Sequence, residues 1–239
     1  MLIMEINGNQ IFNTSELMNE IRRAYPNLKS ASLYRRIREM EKKGSIARIG
    51  KSLYIGKPLH TFSYSLESAL ARRVLRQMKK SYSSDLEYVV YESSTVLNRF
   101  LNHLLAQTYV IVEVPRDFVE PVFFNLKEAG FRNVLLNPDS DGLFRYGENG
   151  TIIVRRLISK APILQKQKRI TIEKLAVDIV ADDLLHCLFE GAEIPTMVEE
   201  IMTNYKVRID TLCNYAKRRH ATDALLRCAP DEMKGLLKR

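Results

Sequence analysis

Between Asn13 and Ile55 the chain sets two short amphipathic stretches of helical period, then a run of alternating residues that turns back at Gly50-Lys51. Few small folds accommodate that order. Asn13-Thr14-Ser15-Glu16 has the form of a helix start, with Asn13 as N-cap and Glu16 placed to reach back to it. Leu17, Met18, Ile21, Ala24 and Tyr25 then recur at helical spacing until Pro26-Asn27 stops the helix. Ser30 can cap a second helix that runs to about Lys43 and ends at Gly44, a residue suited to the left-handed position after a helix.

At about 100° per residue, Leu33, Ile37 and Met40 share one face of the second helix. Ala31, Arg35, Arg38 and Lys42 share the opposite face, with Ser32 and Tyr34 on its flanks. Small residues near the start of such a helix allow close approach to a DNA groove. Arginines further along can reach guanine edges or phosphates. The segment Ser45 to Ile55 reads as a β-hairpin, on which Arg48, Lys51 and, beyond it, Lys57 are placed to touch backbone phosphates. The pattern predicts a winged helix-turn-helix over residues 1–60, with Ala31, Ser32, Tyr34, Arg35, Arg38, Lys42, Arg48 and Lys51 as its contacts with double-stranded DNA.

Charge is distributed in keeping with that expectation. Residues 1–60 hold eleven Lys/Arg against five Asp/Glu, whereas the other 179 hold 26 against 23, so most of the net charge of +9 sits in the first quarter of the chain. A concentrated basic excess favours a polyanionic partner, because neutralised phosphates release counterions. The three cysteines, Cys187, Cys213 and Cys228, show no CxxC spacing and suit reduced thiols. No apolar run reaches the ~18 residues a membrane span needs, and Met1-Leu2-Ile3-Met4-Glu5 has neither the basic nor the apolar part of a signal peptide. A cytoplasmic protein without a membrane partner is expected.

From about Ser63 the texture changes. Helical stretches at Ser65–Lys80, Thr95–Leu105 and Phe118–Ala129 alternate with short β-rich runs at 88–91, 109–114, 134–136 and 151–154, which predicts a mixed sheet with parallel crossovers. After Pro162 the chain turns helical, at Ile172–Phe189, Ile194–Asn204, Asp210–Arg219 and Ala221–Arg227. The expected fold class is α/β (α+β): the winged helix over 1–60, then an α/β domain over 61–239 that ends in a helical bundle from about residue 170.

Little in the second domain points to catalysis. Asp85, Glu92 and Glu113 are candidate metal ligands for a nuclease, but the lysine that nucleases of the PD-(D/E)xK kind place two residues after the acid is replaced by Pro115. Asp139 and Asp141 sit in a turn-forming stretch, Asn137 to Gly142, without the preceding Gly-Ser of a nucleotidyltransferase. There is no P-loop and no GxGxxG, and His60, His103, His186 and His220 lack ligand spacing. No catalytic residue, metal or cofactor is therefore expected. Two basic clusters remain: Arg155, Arg156, Lys160, Lys166, Lys168 and Arg169 in an acid-free stretch, and Lys217-Arg218-Arg219 at the end of a helix. They suit either a solvated face or a docking surface for an acidic protein or RNA.

The order of parts resembles the AbiEi antitoxins of type IV toxin–antitoxin and abortive-infection systems. The likeness is carried by Val89-Val90-Tyr91-Glu92-Ser93-Ser94, Glu113-Val114, Ser159-Lys160-Ala161-Pro162, Glu173-Lys174-Leu175-Ala176-Val177-Asp178, and Tyr205 leading into Leu212-Cys213-Asn214-Tyr215-Ala216-Lys217-Arg218-Arg219. It implies a transcriptional autorepressor that binds inverted repeats in its own operator. It also implies a second domain that counteracts a nucleotidyltransferase toxin without requiring a stable complex. On that reading Arg155, Arg156, Lys160, Lys168, Arg169, Lys217, Arg218 and Arg219 form an antitoxin surface. The alternatives are a DNA-targeted, metal-dependent nuclease-like enzyme and a transcription factor that senses a small ligand.

Overall fold

A computed structural model describes residues 10–238; the opening Met1–Glu5 lies outside the described residues. Strand β1 (Ile11–Asn13) leads into helix α1 (Thr14–Ala24), which starts on the capping box expected from sequence. The Asn13 side chain accepts the Glu16 N–H at 3.0 Å, and Glu16 accepts the Asn13 N–H at 2.8 Å. Helix α2 (Ser30–Lys42) has Lys29 at the N-cap with no side-chain bond, so Ser30 opens the helix without capping it. Gly44 follows at φ +74°, where a side chain would be strained. Strands β2 (Ala47–Gly50) and β3 (Leu53–Ile55) form the hairpin, and β1 adds a third strand in the order β1-β3-β2. The turn sits one residue later than read, at Lys51-Ser52, with Ser52 at φ +61°.

The second sheet has the order β4-β5-β7-β6, from β4 (Val89–Glu92), β5 (Val110–Val114), β6 (Val134–Leu136) and β7 (Ile152–Arg156). β4 runs antiparallel to β5, while β5, β7 and β6 are parallel, so the sheet is mixed as expected. β4, β5 and the first three residues of β7 are buried on both faces, which is why they read as continuous apolar runs. One face packs on helices α3 (Ala69–Ser81) and α5 (Val119–Glu128), through Ala71, Val74 and Met78 and through Val119, Val122 and Leu126. Between these, helix α4 (Ser93–Leu97) is far shorter than the expected Thr95–Leu105.

The opposite face supports the C-terminal helices. Helix α6 (Ser140–Tyr146) lies where a turn was expected, with Asp139 as its N-cap. After a small hairpin of β8 (Ile163–Leu164) and β9 (Arg169–Ile170) come α7 (Ile172–Ala181) and α8 (Asp183–His186), then α9 (Ile194–Asn204), α10 (Ile209–Arg218), α11 (Thr222–Cys228) and α12 (Asp231–Leu237). The last was not read from the sequence. Ala47, Ile49 and Ile55 of the N-terminal hairpin belong to this same core, packed with residues such as Met202, Val207 and Ile209. No helix among the described residues is long and apolar enough to cross a membrane.

Candidate nucleic-acid interface

Helix α2 divides its residues as its period requires. Leu33 and Ile37 are buried at 0% and 3% exposure against Leu17 and Ile21 of α1, while Ala31, Tyr34, Arg35, Arg38 and Lys42 face solvent and Ser32 is half-buried on the flank. The helix is fixed on α1 by Arg36, which donates to the Tyr25 hydroxyl at 3.1 Å and lies over its ring. Arg35 has only a solvent-exposed contact with Glu39 at 3.7 Å, which holds it weakly. Among the described residues Arg38 and Lys42 make no ion pair, so two of the three cations of the outward stripe are unneutralised.

On the hairpin, Arg48 and Lys51 are exposed, as expected of phosphate contacts. Arg48 Nε donates to the Gly50 carbonyl at 3.1 Å, and the Lys51 backbone N–H donates to Asp210 Oδ2 at 2.8 Å, which ties the hairpin tip to α10. At Gly50 a Cβ would stand 3.6 Å from the Asp210 carboxylate, an ordinary contact, and 3.3 Å from the end of the Leu53 side chain. Lys57 belongs elsewhere. It is half-buried and lines a separate cavity of about 160 Å³ with Glu199 and Glu232.

The expected antitoxin surface comes apart. Arg155 is largely enclosed, with a side chain only 12% exposed, and it holds Glu113 Oε1 at 2.7 Å and Asp182 Oδ2 at 2.6 Å. Arg219 is 15% exposed, donates to the Ala181 carbonyl at 2.9 Å and lies 3.6 Å from both Asp178 and Asp182. Lys168 is 5% exposed, donates to the carbonyls of Ser84 and Leu86 at 2.8 Å each, and sits 4.2 Å from the Tyr88 ring centre. Burial lowers its ammonium below the usual lysine range. Arg169 lies over the Tyr64 ring, half-buried. These four do not form a surface, because acids distant in sequence, carbonyl oxygens and aromatic faces engage them in space. Arg156, Lys160, Lys217 and Arg218 remain exposed, and Arg218 donates to Ser159 Oγ at 2.9 Å, which brings the end of α10 to the loop after β7.

Beneath them lies an ionic cluster at the carboxyl ends of the parallel strands. Lys174 of α7, 1% exposed, places Nζ 2.7 Å from Glu113 Oε2 and against Asp178 Oδ2 one helical turn on. Tyr91 donates to Glu113 at 2.9 Å and Tyr215 donates to Asp178 at 2.9 Å. Three carboxylates and three cations thus neutralise one another beside a cavity of about 340 Å³, which Asn137, Arg156 and Tyr215 also line. Burial pushes the Glu113 carboxyl up, but Lys174 and Arg155 together hold it below its ordinary value. Burial likewise pushes Asp182 up, and the Arg155 guanidinium reverses the direction. Asp178 stays raised, since burial outweighs its share of Lys174.

Lys174, Asp178, Asp182 and Tyr215 were not read as site residues. The available signal was Lys174 and Asp178 at i, i+4 inside a helix whose only other charged residue is Glu173. The lysine missing from the position of Pro115 is thus supplied to Glu113 from another element, already committed to an ion pair. Of the other metal candidates, Asp85 is exposed, and Glu92 accepts the backbone N–H groups of Glu67 and Ser68 on the opposite face of the sheet from Glu113. Among the described residues no group of three or more His, Cys, Asp or Glu is placed to hold a metal ion.

A basic helix-and-hairpin module thus packs on the C-terminal helices of an α/β fold that holds an internal ionic cluster. A model for a family of unknown function (DUF6577) matches residues 32–233, and the chain belongs to that family. No curated protein matches it. Among solved structures, the RV2827C protein from Mycobacterium tuberculosis is similar at a TM-score of 0.41 and 12% identity, over 95% of this chain and 75% of that one.

Proposed function

We propose that the chain is an intracellular DNA-binding transcriptional regulator, with α2 as the helix that enters the major groove of its own operator. The single observation that supports this best is the exposed stripe of Ala31, Tyr34, Arg35, Arg38 and Lys42, in which Arg38 and Lys42 have no acidic partner among the described residues, on a helix whose other face is locked into a small core. Small residues at its start permit close approach, and two arginines one turn apart have the donor geometry for guanine edges. The resemblance to AbiEi antitoxins adds the second half of the reading: the α/β domain opposes a nucleotidyltransferase toxin encoded beside it, acting as an antitoxin and not as an enzyme.

The test is binding of the purified full chain to duplex DNA from immediately upstream of its gene, against a scrambled duplex. Arg35→Ala with Arg38→Ala should cost ~1–3 kcal/mol of discrimination for each base edge that is no longer read. Wild-type protein that binds both duplexes equally would remove operator recognition. Co-expression with the neighbouring gene tests the antitoxin half. Growth should be restored by the wild type and equally by the Arg35/Arg38 variant, which has lost only its grip on DNA.

A further inference from the structure

A second basic surface adjoins α2, and it comes from the far end of the chain. Tyr205 to Arg208 runs extended into the start of α10, so that Val207 and Ile209 are buried at 1% and 3% exposure while the alternate residues Lys206 and Arg208 face solvent. Both backbones are fixed. The Lys206 N–H donates to the His60 carbonyl at 2.9 Å, while the His60 N–H donates to the Asn204 carbonyl at 2.8 Å, and the Arg208 N–H donates to Glu173 Oε1 at 2.9 Å. The hairpin tip is tied to the same region through Asp210. Arg48, Lys51, Lys206 and Arg208 consequently line one groove of about 410 Å³, with Glu41 and Asp210 as its acids. Lys206 Nζ lies 3.8 Å from Glu41 Oε1, at the end of α2 and beside the Arg38–Lys42 stripe.

We infer that this groove is part of the DNA interface, with Lys206 and Arg208 holding phosphates of the same duplex that α2 reads. The inference rests on the DNA-binding reading above and extends it to residues outside the helix-and-hairpin module. Four cations against two acids suit a polyanion. Among the described residues no aromatic ring on which an unpaired base could stack lines the groove, which favours a duplex backbone over single-stranded nucleic acid. Because both backbones are bonded on either side, little ordering is required when a phosphate arrives.

The experiment measures affinity of the full chain for the upstream duplex and for a scrambled duplex of equal length across a salt series. Lys206→Ala with Arg208→Ala should weaken both duplexes alike and reduce the slope of log affinity on log salt by about 2, near 0.9 for each phosphate left without its cation. Glu41→Gln removes an acid that competes for Lys206 without disturbing the fold, and it should tighten both duplexes. An unchanged slope in the double variant, with a native circular dichroism spectrum, would overturn the inference while leaving α2 as the reading helix. If the wild type binds neither duplex, the DNA-binding reading itself falls, and the two failures are thereby told apart.

Discussion

Arg155 shows at the scale of one residue how a charge can be structural. Its guanidinium bridges two largely buried carboxylates, Glu113 and Asp182, and removing one partner from a buried ionic cluster leaves the remaining charges under-compensated where water cannot fully solvate them. Arg155→Met should therefore destabilise the fold by about 3–5 kcal/mol in chemical denaturation, and Arg155→Lys should restore only part, since an ammonium cannot span both acids. The same cluster sets the response to acid. Glu113 and Asp182 are held below their ordinary values, so the folded state releases protons that the unfolded state keeps. Their contribution is complete above the unfolded carboxylate range, near pH 4, and is lost as pH falls through the lowered values. Asp178, held above its ordinary value, acts in the opposite sense: its contribution is lost as pH rises. Acid unfolding followed by circular dichroism should have its midpoint below about pH 4 in the wild type and at higher pH in the Arg155→Met variant; coincident curves would show that the cluster does not govern acid stability.

Elements were legible where a local rule and the long-range packing agree. The capping box at Asn13 announced α1, and Asn13→Ala should lower stability by about 0.5–2 kcal/mol, measured as a shift in denaturation midpoint. The apolar runs of β5 and β7 announced buried parallel strands. Elsewhere a side chain broke a pattern that hydrophobicity alone continued. Asp182 accepts the N–H groups of Leu184 and Leu185 and divides the predicted Ile172–Phe189 helix into α7 and α8. The Asn98 side chain accepts the Leu105 N–H, and Phe100 turns into a cluster with Phe62 and Tyr205, so α4 stops early. Three-residue β1 is too short to display a period, and seven-residue α12 follows Pro230 where a chain end reads as loop. The ionic cluster was the least legible part. Glu113, Arg155, Lys174, Asp182 and Arg219 are brought together by the sheet and two helices, and spacing along the chain carries no trace of that meeting.

For the whole molecule, the hairpin is the joint. Ile49 and Ile55 are 1% and 4% exposed, and the side chains that cover them lie in the C-terminal helices as well as in their own module. Excising residues 1–60 would uncover apolar surface on α9 and α10, so the division of labour is better tested by substitution on the surface of α2. Thermal unfolding should show one transition for the full chain, and Ile49→Ala should lower it as a unit by the ~2–5 kcal/mol typical of an emptied core site. Two separated transitions, only the first of them displaced by the substitution, would show that the hairpin packing carries little energy.

Helix α10 touches both halves of the molecule. Asp210 at its start holds the hairpin tip, and Tyr215 and Arg219, on the order of 8 and 13 Å along it at 1.5 Å per residue, look into the ionic cavity. A rod clamped at both ends transmits displacement in either direction. If the chain binds operator DNA as proposed, whatever setting of the rod the DNA favours at one end it would favour at the other by the same free energy, so an occupant of the cavity and a bound operator would each alter the grip on the other by an identical factor. On the DNA-binding reading proposed above, thermodynamic reciprocity would make the cavity an input to repression and repression an input to the cavity, with the bond from the Lys51 N–H to the Asp210 carboxylate as one of the links.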